Sequence, residues 1–466
     1  MNKILESFER ARASASASVL DRLPPGPPRY PLVGNLPSLL RDPLAFLSEA
    51  GRQYSDVARL DIGATDVFLL NHPDHIHRVL REESDKYVRG GGIWDVLSLL
   101  FGKGLAVTDG EVWRRQRRLI QPQFHQKHLA GLVPTMTGAI ERELAQWQRL
   151  AGREERLDLA TEMNRFSMSV FLTAMFGTVI TPADAKLASE SMSAALAHVQ
   201  TRMLFHWLPS WAPVPGGKKF QESMRSLDTI VRSLIHAREG DPGSNDLLAL
   251  LLSARSEGGE GMSPEVLRDE VLTFFIAGSE TTATAMIWTL ALVCQHGEVE
   301  ARLREELRSV LDGRDPRYDD LPKLAYTQMV IQESMRLYPP VWIITRQATE
   351  DRRLGDYLIP KQSFVAVLPH IVHRHRDFWS DPDVFDPARF APGKAAQRHR
   401  CAYVPFGVGP HQCIGNNFAL IEATLMLTMI LQRFVLRLPP GYQAKPVLLD
   451  TMRPAGGLPV TLERAR

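Results

Sequence analysis

Cysteine is scarce in this chain. Only Cys294, Cys401 and Cys413 occur among 466 residues. Three thiols without regular spacing do not suggest a disulfide framework, and no CxxC pair suggests zinc. Such a chain suits a reducing compartment, so a cytoplasmic location is expected. Net charge is also small: 55 Lys and Arg oppose 53 Asp and Glu, leaving +2. That balance gives no reason to expect nucleic acid as a partner. The first twenty residues lack a long apolar run, because Lys3, Glu6, Glu9, Arg10 and Arg12 interrupt it. A signal peptide or membrane anchor is therefore not expected there. Residues 1–22 read as a leader and 23–466 as a single domain. Repeats are lacking, and low complexity is confined to the Ala/Ser run at 13–18.

One apolar stretch is long enough to cross a bilayer. From Val271 to Cys294 the only charge is Glu280. Yet Gly278, Ser279, Glu280, Thr281, Thr282 and Thr284 cluster in its middle, at a heavy cost in lipid. A helix through the centre of a large domain fits better. Ser263 supplies its cap, Pro264 its first position and Glu265 a negative charge for its positive end. With 44% hydrophobic residues the chain can build a core that encloses a cofactor.

Elsewhere the pattern is mostly helical, over 183–199 and 216–238 among other segments. Five prolines and two glycines at 23–35 exclude a helix and, alone, read as a linker. VARLDIG (57–63) and DVFLLN (66–71) read as a hairpin. The proline-broken connector MLFHWLPSWAPVPGG (203–217) reads either as a buried loop or as a mobile lid that touches membrane or a greasy substrate.

The most informative segment begins at Tyr403: YVPFGVGPHQCIGNNFALIEATLMLTMIL. Pro405, Gly407, Gly409 and Pro410 prevent regular structure, and an apolar helical pattern runs on from Ile414. Cys413 thus sits where a glycine-bent loop feeds a helix N-terminus. Unpaired N–H groups there favour an anion, so a lowered thiol pKa is expected. Gly409 permits an unusual backbone angle. Gly415 lacks a side chain, so a flat macrocycle could approach.

Phe406, Gly409, His411, Cys413 and Gly415 resemble the cytochrome P450 signature F-x-x-G-x-[R/H]-x-C-x-G. The resemblance implies that Cys413 ligates the iron of haem b as thiolate and that His411 bonds a propionate. It is carried further by other motifs in family order. Glu333 and Arg336 stand three apart on one helix face and resemble the E-x-x-R helix, which implies a buried ion pair. FDPARF (385–390) resembles F-x-P-x-R-F, making Arg389 the third member of that structural cluster. Trp113 and Arg117 resemble W-x-x-x-R and are implied to contact a propionate, as is Arg346. Arg114, Arg115 and Arg118 are left to form a basic proximal surface that steers an acidic electron donor.

Ala277 to Thr282 resembles [A/G]-G-x-[D/E]-T-[T/S]. The implied roles are room for dioxygen at Gly278, and a proton relay through Glu280 and Thr281. The implied fold is mainly α with a small β portion. In that implied fold, haem would lie between the central helix and the helix after the Cys loop. The implied activity is a monooxygenase that uses O2 and two electrons to hydroxylate or epoxidise a fatty acid, terpenoid, steroid or polyketide. Desaturation, C–C or C–O coupling and a haem-thiolate redox or gas sensor are the alternatives. Electrons are expected from NAD(P)H through a separate ferredoxin or flavodoxin and reductase, and the protein is expected to be a monomer. By family position the pocket includes Ile93, Trp94, Val96 and Leu97 from the loop before Trp113. Phe274, Phe275 and Ala277 follow from the central helix, and Val341, Trp342 and Ile343 from beyond Pro340.

Overall fold

The computed structural model describes residues 22–465 apart from 55, 64, 153–155, 178–180, 205–211, 240–245 and 254–260. Residues 1–21 of the leader, residues 205–211 of the 203–217 connector and Ala64 of the hairpin turn lie outside the described residues.

The axis of the molecule is the central helix, Pro264–Gln295. It begins where the capping residues require: the Ser263 side chain accepts a hydrogen bond from Val266 N, and Pro264 occupies the first turn, where its missing N–H costs nothing. It is apolar on nearly every face because helices surround it. Leu159–Phe176, Gly217–Glu239, Ala325–Leu337 and Asn416–Arg433 all pack against it. A helix buried all round cannot show a one-sided stripe, which explains its membrane-like composition. Among the described residues no helix is long and apolar enough to cross a membrane.

The β portion is small and lies to one side. Strands β1 (Val57–Ile62), β2 (Thr65–Leu70), β3 (Tyr87–Val88), β4 (Ile344–Ala348) and β5 (Phe364–Val367) form a sheet of order β1-β2-β5-β4-β3. The expected hairpin pairs Val57 with Leu70 and Ile62 with Thr65. All pairings are antiparallel except β2 with β5. The proline-rich stretch is no free linker. Arg59 N donates to Pro25 O at 2.8 Å, and Asn35 bridges Pro28 O to Asp61 N. A short hairpin near the C-terminus, Pro446–Leu448 with Met452–Pro454, packs on the central helix.

Candidate active site

The loop ahead of Cys413 owes its shape to glycine. Gly407 and Gly409 have φ of 71° and 80°. A Cβ at Gly409 would lie 1.9 Å from Leu80 O, so both backbone angle and space exclude a side chain. Cys413 N donates to Phe406 O at 2.9 Å, and the Asn416–Arg433 helix follows with Gly415 as its cap residue. At Gly415 a Cβ would meet only Phe124, at 3.8 Å, an ordinary contact. The polypeptide sets no demand for glycine there; a flat group lying over the loop would.

The Cys413 thiol is exposed, yet protein crowds it on most sides, as on the floor of a cleft. Burial raises its pKa, while the Gly415 N–H and the Arg117 charge pull it down less strongly. The expected lowering is therefore corrected. The helix end acts in the anticipated direction, but desolvation of the anion outweighs it. A metal ion at the sulfur reverses that balance, because a coordinating thiol is deprotonated outright.

A buried cationic cluster lies beside the loop. His411 Nε2 is 3.2 Å from Asp109 Oδ1, and its ring centroid is 4.2 Å from that of Trp113. Arg89 and Arg346 are each within 6 Å of the Trp94 ring, at 5.5 and 5.7 Å. Burial pushes Arg89 down to about 9, helped by repulsion from Arg346, and pushes Arg346 down to about 10. Burial would raise the Asp109 carboxyl, but bonds from His411, Arg89 N and Gly110 N hold it well below the usual range. The imidazole of His411 is lowered, mainly by burial. Two guanidiniums and an imidazole thus surround one carboxylate. Among the described residues Arg89 Nε has no partner, although its Nη1 donates to Leu105 O at 2.8 Å, and Arg346 donates to Thr345 O at 2.7 Å; neither guanidinium bonds a carboxylate. Buried charges are normally paired. The cluster therefore suits an anionic group such as a pair of haem propionates. Arg117, between Gln121 Oε1 and Gln412 O, borders it.

The central helix presents Phe274, Ala277 and Thr281 on one face at helical spacing. Ala277 is exposed and Thr281 half-buried, and the Thr281 hydroxyl donates to Ala277 O at 2.7 Å. Three expectations change here. Phe275 is 1% exposed and belongs to the core, ~100° round the helix from Phe274, which at 7% is itself buried. Gly278 is not chiefly a space for dioxygen: a Cβ there would lie 2.1 Å from the Phe171 ring, so close helix packing demands the glycine. Glu280 does not adjoin the Thr281 hydroxyl, since consecutive helical residues diverge by ~100°. Its carboxylate turns to the C-terminal hairpin, bonding Arg453 and accepting from Thr451 at 3.3 Å.

Glu333 and Arg336 are both wholly buried, with Arg336 Nε and Nη2 at 2.6 and 2.8 Å from the carboxylate. Arg389 Nε lies 3.4 Å from Glu333 Oε1. Arg336 also donates to His373 O, Pro382 O and Val384 O, stapling that segment beneath the Cys loop. His373 Nε2 then accepts from Val404 N at 2.8 Å, and burial holds this imidazole neutral, at about 3.

The remaining expected pocket residues divide. Ile93, Trp94, Val96 and Leu97 lie on a helix, Gly92–Phe101, and not on a loop. Val96 is in the core, and Trp94 serves the two arginines. Val341 is exposed, Trp342 Nε1 donates to Leu449 O at 2.7 Å, and Ile343 is half-buried.

Comparison with known proteins decides the identity of this arrangement. The family model described as Cytochrome P450 matches residues 24–459. This chain belongs to the cytochrome P450 family. It is a P450 monooxygenase, a haem- and O2-dependent oxidoreductase. The chain is 33% identical to cyclooctatin synthase of Streptomyces melanosporofaciens, over 90% of this chain and 91% of that one. It is 31% identical to pentalenene oxygenase of Streptomyces avermitilis, over 91% and 94%. The crystal structure of the cytochrome P450DA heme domain is similar with a TM-score of 0.87, at 28% identity, covering 96% of this P450 and 99% of that chain. Its fold is accordingly the P450 fold.

Several participants carry little or no signal in the sequence. Asp109 precedes the Trp113 helix as its cap, a legible signal. Arg89 had none beyond its place before three glycines. Arg453, Thr451 and Asp450 had none at all.

Proposed function

We propose that this P450 inserts one oxygen atom from O2 into an apolar terpenoid, using electrons passed from NAD(P)H by a separate ferredoxin- or flavodoxin-type donor. The observation that carries the reading is the conjunction at one cleft. An accessible thiol lies at a loop-to-helix junction, Asp109 ties the buried cationic cluster to His411 of the same loop, and Phe124, beside Gly415, has its ring centroid 5.8 Å from that of Phe274 on the helix face that bears Thr281. Relatives named for cyclooctatin, pentalenene and cyclooctat-9-en-7-ol support the terpenoid class.

Cys413 would hold the iron, while Arg89, Arg346 and His411, with Trp113 and Arg117, would hold the propionates. Haem, when bound, supplies the oxygen activation and one-electron chemistry. The chain's residues do the rest. Phe274, Ala277, Val341 and Ile343 exclude water and orient the hydrocarbon. Thr281 holds a proton at Oγ1 on the cleft face, and Glu280 is the carboxyl that replenishes it. Exposed Arg114, Arg115 and Arg118 support steering of an acidic donor. Three free thiols support a reducing, cytoplasmic setting.

The test is turnover of terpenoid hydrocarbons with isotope-labelled O2 and a ferredoxin donor. One labelled oxygen per product is expected. A product without label, or turnover that needs no electron donor, contradicts the reading.

A further inference from the structure

The carboxylate of Glu280 is already engaged. It accepts from Arg453 Nη2, and the same nitrogen donates to Asp450 Oδ2 at 2.7 Å. Thr451 completes the knot. Its hydroxyl is 3.3 Å from Glu280 Oε1, 3.0 Å from Arg453 Nε and 3.1 Å from Thr284 Oγ1. Two carboxylates thus share one guanidinium in a largely buried place. All three hairpin residues sit on or between the strands Pro446–Leu448 and Met452–Pro454.

The hairpin is itself fixed to both sides of the cleft. Trp288 of the central helix donates to Met452 O at 2.7 Å. Met452 N donates to Pro340 O at 3.0 Å, and Trp342 reaches Leu449 O. The Pro43–Gln53 helix also packs on the hairpin, but its Glu49–Arg52 pair points to solvent, with both side chains more than 60% exposed at 64% and 68%. Among the described residues, the charged groups paired in the knot are Glu280 from the central helix and Asp450 and Arg453 from the hairpin itself.

We propose that the C-terminal hairpin is the clamp on the proton relay: Arg453 holds the Glu280 carboxylate away from Thr281, and Asp450, competing for the same Arg453 nitrogen, sets how readily Glu280 is released. Arg453 and Asp450 are positioning residues. The inference rests on the relay reading given above. Its logic is charge balance. With Asp450 ionised, one guanidinium is divided between two anions and Glu280 is held loosely. A proton taken from solvent by Asp450 leaves the guanidinium to Glu280 alone, and the clamp tightens. Burial raises Asp450 to about 6, so this exchange falls within reach of ordinary pH. Glu280, once free, takes a proton from solvent, passes it toward Thr281 Oγ1 and returns to the carboxylate that Arg453 holds.

Infrared spectroscopy of holoenzyme with labelled Glu or Asp reads the protonated carboxyl band of each residue. In Arg453→Gln the Glu280 ionisation midpoint should rise by ~1 unit or more, because the opposite charge is gone. The new band should vanish in the Glu280→Gln/Arg453→Gln double variant. Arg453→Lys, a milder change that keeps the charge but loses the shared donor geometry, should give a smaller rise. Asp450→Asn should remove an aspartate titration near 6. It should also slow reoxidation of the dithionite-reduced holoenzyme in oxygenated buffer and flatten its pH profile. Unchanged Glu280 midpoints in both Arg453 variants, or an unchanged profile in Asp450→Asn, overturn the clamp. The relay fails separately: Thr281→Ala with undiminished coupling of electrons to product removes the relay, whatever the infrared bands show.

Discussion

Replacing Glu422 by Gln should stabilise this P450, and more so as pH rises. Glu422 is wholly buried in the Asn416–Arg433 helix, facing Ser167. Ser167 Oγ lies 2.9 Å from Ser279 O and 3.3 Å from Glu422 Oε1. A hydroxyl has one hydrogen, and the shorter contact is to an oxygen that can only accept. The carboxyl must then donate to Ser167, which requires it to be protonated. Burial agrees, raising Glu422 from 4.5 to about 8. A carboxyl that binds its proton more tightly folded than unfolded loses stability between those two values as pH rises. The linkage penalty is ~1 kcal/mol at pH 5 and ~3 kcal/mol at pH 7. Gln has similar shape, and its amide N–H can donate to Ser167 in place of the carboxylic O–H. Urea unfolding of both proteins at pH 5, 6 and 7 measures the difference. The stabilisation should grow by ~2 to 3 kcal/mol across that range. A difference that stays constant with pH, or a destabilisation that grows, refutes the protonated carboxyl.

Gly278→Ala should destabilise by ~1 to 3 kcal/mol through overpacking, and Phe171→Leu in the same chain should recover much of that in thermal melts; no recovery returns Gly278 to the role of dioxygen space. Arg89→Leu removes a charged propionate partner worth ~1.5 to 3 kcal/mol, so haem transfer to apomyoglobin should accelerate about tenfold or more. Equal transfer rates would detach Arg89 from the cofactor. Thr281→Ala should bind haem with an unchanged spectrum, yet release hydrogen peroxide in place of product.

What could be read in advance depended on whether the signal was local. Ser263 and Pro264 mark a helix start by themselves, and Glu333 and Arg336 share a face because they are three apart. The Cys413 loop is legible because its glycines and cysteine lie within ten residues. The Glu280–Arg453 contact joins residues 173 apart, and no pattern near Glu280 announces it. Arg89 and Arg346 meet only when β3 and β4 pair, placing both near Trp94. Ile93 to Leu97 read as a loop by family position, yet a helix starts at Gly92, the last of three consecutive glycines. Phe275 illustrates a different failure. Helical periodicity separates it from Phe274 and Thr281 by ~100°, an angle that family position does not convey.

The most direct measurement is the spectrum of reduced holoprotein under carbon monoxide. A thiolate donated by Cys413 predicts absorption at about 450 nm, lost in Cys413→Ser. A chain that folds colourless with added haemin, or a band that survives in Cys413→Ser, contradicts the account.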